Sequence, residues 1–538
     1  MKKNSAIALL LAVVIVFSVT TVGFADARSL DVKQELNINL YQEPYSLDFQ
    51  LTSSSGDIQI YNWIMEGLTR CTDGGKVKPG IAKSWEVSKD GKTWTFHLRD
   101  ASWTDGKKVT AIDFVYGWLR ALEPDMASDY AYILYDIVGA EEFNTGKGPA
   151  SNVGIRAIDD KTLEVRLKNP VQYFDYLTSM AICAPCREDL VDKYGEDYNT
   201  EAEYFVTDGP FTLKVWLHGV IMIFEKNPSY WDAGSIKLQQ VNGYMVYDDT
   251  TELNMYKEGE LDLTVALSGQ QPKELDKSEI KSYTDGSVWY LNYNCKDSIM
   301  KNKNIRKALT FAIDRSSFLK EIEKPGWKPA LALVQPEVIF DADGKTFREK
   351  KPSFFKDNDV KTAKTLLAQG MKELKLKKLP VLKLLTNDTS STMHYGEALQ
   401  DMWKKSLGID VQLEPVSPEK RIQRQHEHDF QISIAGWGPD YPDAMTDLDL
   451  FVTGGGNNDA AYSNPKYDAL IKAAKAEVDK KKRSELLHNA EQLLMDDMPI
   501  GPLYYRYRNY AIHDYVKGLT RNAIGADIDL VYSYMEGK

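Results

Sequence analysis

VLKLLTNDTSSTMHYGEALQDMWKKSLGIDVQLEPV, residues 381–416, decides the fold class. Its first part, 381–387, is a short apolar run of strand length, and its last, 409–416, alternates apolar and polar residues at the period of a strand. Between them, residues 392–408 place apolar side chains at helical spacing and stop at Gly408, the residue type that most readily takes the left-handed conformation ending a helix. Strand, helix, strand is the β-α-β rhythm of a parallel sheet. A helix over 359–371 precedes it, and FQISIAGW (430–437) reads as one more strand. In open α/β sheets ligands gather at strand carboxyl ends. Attention therefore passes to AGWGPDYPDAMTDLDLF (435–451), which carries Asp440, Asp443, Asp447 and Asp449.

Three chemistries could use those aspartates: a proton-transferring pair, a metal loop, or one carboxylate awaiting a cation. The spacing is not that of an EF-hand, which needs acidic ligands at alternate positions and glycine at the sixth. A catalytic dyad needs two acids held close with shifted pKa values, and no feature of the sequence brings Asp440 to Asp443. Aspartate is also an ordinary turn and cap residue, which is the expectation for Asp443, Asp447 and Asp449.

Outward from this region the first half reads as hairpins and helices. Residues 36–49 alternate like a strand and then turn at Glu43-Pro44; 84–98 form a hairpin turning at Asp90-Gly91; 210–228 form another. Thr110 is the expected N-cap of a helix, with Asp113 at its third position. Residues 305–322 read as a single periodic helix. A chain of 538 residues is too long for one core, so two or more domains are expected. No internal repeat, low-complexity run or long Gly/Ser linker separates them.

A formal charge of −12 argues against nucleic acid as a partner, since that needs clustered basic residues. Lys2 and Lys3, the apolar run 6–24 and the small residues Ala25 and Ala27 make a secretory signal over 1–27. Cleavage after Ala27 is expected rather than an uncleaved anchor, because Ser18, Thr20, Thr21 and Gly23 weaken the end of the run. The nearest cysteine is Cys71, so no lipid anchor is expected at the cleavage point, and the mature chain should be soluble in the periplasm. Cys71, Cys183, Cys186 and Cys295 leave disulfide pairing open. CAPC (183–186) has redox spacing, but its surroundings do not read as a thioredoxin-like unit. No P-loop, G-x-S-x-G or H-E-x-x-H motif occurs. His426 and His428 would share a face in a strand, but a surface loop is the commoner reading, and neither a metal nor a cofactor is expected.

An ordered set of stretches resembles the bacterial extracellular solute-binding proteins of family 5, the oligopeptide- and dipeptide-binding group of ABC importers. These are 43–49, 66–124, TDGPFTLKVW (207–216), KNPSYWD (226–232), IRKALTFAIDR (305–315), GWGPDYPD (436–443), YSNPKYDALI (462–471) and 490–505. The resemblance implies an α/β, two-lobed clamshell with an additional inserted domain and mixed sheets flanked by helices. It places domain I at 28–65, 190–290 and 505–538, domain II at 66–189 and domain III at 291–504. Hinge closure on a ligand in the cleft would be the working motion. It further implies that Asp440 meets the α-ammonium of a peptide, that Gly436, Trp437 and Gly438 line the ligand, and that Ser53, Ser54, Ser55 and Tyr130 make further contacts. Where relatives present arginines to the ligand carboxylate, this chain has Gln425 and Ile434; Arg421, Arg424 and Lys345 lie near relevant segments. The expected function is capture of small peptides by a monomer that delivers them to a membrane-embedded ABC permease and its ATPase subunits. A dipeptide, metal chelate, haem or sugar is the alternative cargo. An acid hydrolase using Asp440 and Asp443 is the reading from another class.

Overall fold

The computed structural model describes residues 33–538, apart from Ser53, 73–74, 269–270 and 323–325. The expected signal segment and Ser53 lie outside the described residues. Among the described residues no helix is long and apolar enough to cross a membrane.

Three larger sheets carry the architecture. Glu35–Asn39 runs parallel to Gln240–Tyr244, which continues antiparallel into Ile221–Lys226 and Phe211–Leu217. A second, antiparallel sheet orders Ala82–Val87, Thr93–Leu98, Thr162–Arg166 and Ile155–Asp159. The third has six strands, in the order Lys328–Pro329, Ile500–Ala511, Ile280–Tyr293, Ile432–Trp437, Leu382–Asn387 and Val411–Val416. Its last three strands are parallel, and the remainder antiparallel.

Local chemistry explains the elements. In Thr93–Leu98 the buried residues Trp94, Phe96 and Leu98 alternate with outward ones, as a sheet with one covered face requires. The helix Ala111–Ala121 opens on the expected capping box of Thr110 and Asp113 and buries Phe114 and Trp118. Ser390–Leu407 ends at Gly408 with φ of 70° and buries Leu399 and Trp403. The indole of Trp403 donates to the Leu309 carbonyl at 2.9 Å, so burial leaves that N–H satisfied. Each fully buried Leu or Ile in this layer, such as Leu384 and Ile432, contributes ~1.5–3 kcal/mol by leaving water.

Three sequence expectations need correction. The single helix over 305–322 is two, Lys303–Phe311 and Arg315–Glu321. Asp314 breaks the run by capping the second helix through Ser317 N at 2.9 Å. Arg315 turns inward to Asp357 and to the Pro502 carbonyl. His426 is neither in a strand nor in a loop but ends the helix Pro418–His426, and both His426 and His428 lean on Asp459. Asp447 is not a turn residue: it is fully buried, and desolvation raises its pKa well above the usual carboxylate range. No disulfide joins the four cysteines among the described residues, and burial pushes Cys186 up to about 12, the opposite of a reactive thiol.

Two long strands tie the sheets together. Ile280–Tyr293 and Ile500–Ala511 pair along most of their length, with a register shift between Thr284 and Val288. Beyond Val288 they belong with Ile432–Trp437. Before Thr284 they run toward the bridge between Leu263 and Ile512, whose neighbour Asp262 accepts from Asn37 N at 2.6 Å. At the shift Gly286 has φ of +72°, and a Cβ there would stand 2.9 Å from the Pro439 ring. The bulge thus packs against the residue before Asp440.

Candidate functional site

Strand Ile432–Trp437 delivers the site. Its neighbour Leu382–Asn387 pairs with it only at Ile432 and Ser433. Past Ser433 that edge carries no strand among the described residues. The Ile434 carbonyl on this edge is met by Arg421 at 3.3 Å. Strand alternation puts the N–H and C=O of Gly436 on the same edge. Glycine is required there, because a Cβ would lie 2.6 Å from the Trp289 ring.

After Trp437 the chain turns through Gly438 and Pro439 and sets Asp440 between two cavities. The larger, about 500 Å³, opens between residues 132–177 and residues 437–483, and Trp437 and Asp440 line it. The smaller, about 190 Å³, is lined by Ser55, Tyr61, Tyr130, Asn522 and Asp440 among others. The Asp440 backbone N–H donates to Thr446 Oγ1 at 3.0 Å, which fixes the loop. Its carboxylate has no ion pair among the described residues, and desolvation raises it from 3.8 to about 6. That charge in turn helps burial to raise the Tyr130 phenol.

Asp443 and Asp449 are committed. Asp443 takes both arms of Arg483, at 2.7 and 2.9 Å, and caps Met445 N. Asp449 pairs with Lys475 at 2.7 Å. The two bonds from Arg483 occupy both Asp443 oxygens, so Asp440 and Asp443 do not form a proton-sharing dyad. Around the larger cavity Tyr173 and Tyr441 stack face to face, with centroids 4.1 Å apart and planes 5° apart. Gln172 Nε2 reaches the carbonyls of Glu477 and Val478 at 3.2 and 3.1 Å.

Of the residues named from sequence, the structure gathers Asp440, Trp437, Ser55 and Tyr130 at these cavities. Ser54 takes the N-cap position of Ser55–Ile64, with no side-chain cap bond. Gly438 is exposed and lines neither cavity. Gln425 and Ile434 are buried, and Arg421 joins them by donating to Gln425 Oε1 and to the Ile434 carbonyl. Arg421 also donates to Asn387 Oδ1 at 2.8 Å, finds no carboxylate partner among the described residues, and has its pKa lowered by desolvation.

Sequence reasoning missed Tyr61, Asn522, Asp136, Tyr173 and Tyr441. The Tyr61 hydroxyl, Asn522 Oδ1 and Trp437 Nε1 are buried without a hydrogen-bond partner. Such groups are costly unless a ligand or water meets them. Nothing in the local sequence marks them, since their neighbours come from remote segments.

A model of the bacterial extracellular solute-binding proteins, family 5 Middle, matches residues 76–459. The chain belongs to this family. The oligopeptide-binding protein OppA of Bacillus subtilis (strain 168) is 39% identical over 505 residues, covering 92% of this chain and 91% of that one. Listeria monocytogenes OppA bound to peptide superposes with a TM-score of 0.73 at 32% identity, over 94% of this chain and all of that one. The unliganded open form of the murein tripeptide-binding protein MppA gives 0.81 at 27% identity, over 94% and 97%. The fold of this family member is therefore the two-lobed α/β clamshell of these neighbours.

Proposed function

We propose that this protein captures short peptides in the cleft at Asp440 and hands them to an ABC permease driven by its ATPase subunits. It works as a monomeric, non-enzymatic binding protein, exported through residues 1–27 into the periplasm. The observation that carries this reading is the Asp440 carboxylate, desolvated, without a counter-charge and placed just past an open strand edge. An ammonium inserted there gains short charge-assisted bonds and relieves the burial cost. The edge at Gly436 suits an added peptide strand, with affinity from main-chain bonds and tolerance of sequence. The peptide-binding names of the relatives support the same cargo.

Arg421 is the group suited to the ligand carboxylate, standing where Gln425 and Ile434 leave no cation of their own. From Ile434 to Asp440 the chain spans at most ~20 Å at 3.3 Å per residue, which limits a peptide held extended between the two ends to about six residues. The course of the two long strands supports the domain limits implied by the resemblance. The 290/291 and 504/505 boundaries cut the two long strands near the register shift, and the sheet containing Thr93–Leu98 falls inside 66–189.

The test is to purify the chain from Arg28, denature it and identify released molecules by mass spectrometry, then titrate synthetic tetrapeptides. Free-amine peptides should bind, whereas N-acetylated forms should not and C-terminal amides should bind more weakly. Release of a single non-peptide solute, with no peptide binding, would reject this cargo while leaving the fold intact.

A further inference from the structure

The larger cavity carries a second carboxylate, on Asp136, that the peptide-capture reading does not use. Its backbone is held firmly, since its carbonyl accepts from Lys168 N at 2.7 Å and the next residue, Ile137, bridges to Leu167. Its side chain makes no hydrogen bond or ion pair among the described residues, and burial raises its pKa against the pull of Lys475 and Lys168. The cations lining the same cavity are each bound elsewhere. Lys168 holds Glu141 at 3.2 Å, Lys475 holds Asp449 at 2.7 Å, and Arg483 grips Asp443 through both arms. Two uncommitted carboxylates, Asp136 and Asp440, therefore share one cavity of about 500 Å³.

A peptide ammonium satisfies Asp440 and leaves Asp136 facing the same enclosed space without a counter-charge. A desolvated carboxylate is costly until a cation with hydrogen-bond donors meets it. The cavity also offers the side chains of Tyr132, Tyr135, Tyr173 and Tyr441, apolar enough for an alkyl stem and able to interact with a cation at its end. The net charge of −12 draws cationic ligands toward the whole molecule.

We propose that Asp136 is a specificity residue that receives the cationic side chain of a lysine or arginine in the bound peptide, so that the protein selects basic peptides. The inference rests on the peptide-binding reading and assigns its preferred substrate class.

Calorimetric titration of a free-amine tetra-alanine and its single-site variants tests it. Lysine or its uncharged analogue norleucine is placed at each position in turn. At one or more positions lysine should bind the wild-type protein at least tenfold more tightly than norleucine. In Asp136→Asn, checked for an intact thermal transition, that ratio should fall to within twofold. Equal binding of the lysine and norleucine peptides at every position overturns the assignment without touching peptide capture, and so does a preference that survives Asp136→Asn. The wild-type comparison needs no variant to fold. Failure of every peptide, tetra-alanine included, overturns peptide capture and this assignment with it.

Discussion

Burial lifts the Asp440 carboxyl from 3.8 in the unfolded chain to about 6 in the folded one. The folded state thus holds that proton more tightly than the unfolded state. The group costs nothing at pH 3, and its ionisation subtracts stability as the pH rises from about 4 to about 6, by up to ~3 kcal/mol. Asp440→Asn should therefore raise the melting temperature of the ligand-free protein at pH 7.5, and the gain should vanish near pH 3.5. The same substitution should weaken peptide binding by several kcal/mol, on the order of the cost of stripping a buried charge of its partner. A variant that lost neither affinity nor the stability penalty would remove Asp440 from the site. For the native protein, the proposed contact with a ligand ammonium requires the ionised form, so peptide affinity should fall as the pH drops below about 6. It should approach a tenfold loss per unit until the pKa of the complex is reached; calorimetry between pH 4.5 and 7.5 reads this directly. A flat profile would mean that the ligand brings no positive charge to this carboxylate.

At the scale of elements, the proposed peptide site makes strand Ile432–Trp437 the place where packing and recognition meet, at Gly436. The Trp289 ring occupies the space a side chain would need, while the backbone of Gly436 keeps one edge open. Gly436→Ala should cost ~1–3 kcal/mol of stability through overpacking against Trp289. It should also weaken peptide binding, because the strand must shift away from the ligand. Urea unfolding and calorimetry on one preparation separate the two effects, and a loss of stability with unchanged affinity would take the strand edge out of recognition. Much of this level was legible in the sequence. Thr110 with Asp113, Gly408, and the alternation around Trp94 and Phe96 are short-range signals, and each element formed where it was read. The helix over 305–322 was misread because its apolar spacing runs through Asp314, whose capping bond to Ser317 outweighs periodicity.

Across the whole molecule, the two long strands Ile280–Tyr293 and Ile500–Ala511 share a register shift at Thr284–Val288. Asp285 ties the shift by accepting from Arg506 and Arg508 on the facing strand. At the larger cavity, the Tyr173–Tyr441 stack and the Gln172 bonds to Glu477 and Val478 join residues 172–173 to segments some 270–300 positions later in the chain. These contacts should hold the cleft against ligand escape. Stopped-flow measurement on a Gln172→Ala/Tyr173→Ala double variant should show peptide dissociating several-fold to tenfold faster, in line with ~0.5–1.5 kcal/mol for an aromatic pair plus the lost hydrogen bonds. The association rate should change little. An unchanged dissociation rate would show that closure draws no energy from this junction.

The sequence by itself determined the α/β class, the caps and turns, the family resemblance and Asp440 as the residue to watch. Those features are written within a few residues of one another, in periodicity, capping chemistry and ordered motifs. Only the tertiary structure decided which charges are spent. Asp443 is consumed by Arg483 forty positions away, Asp447 is sealed in the interior, and Asp136 is left uncommitted while every lysine and arginine around it has a partner. Arg421, one helical turn from Gln425, meets the Ile434 carbonyl only because helix and strand pack together. Burial and counter-charge are properties of segments remote in sequence, so the electrostatics of the cleft could emerge only once those segments were folded against each other.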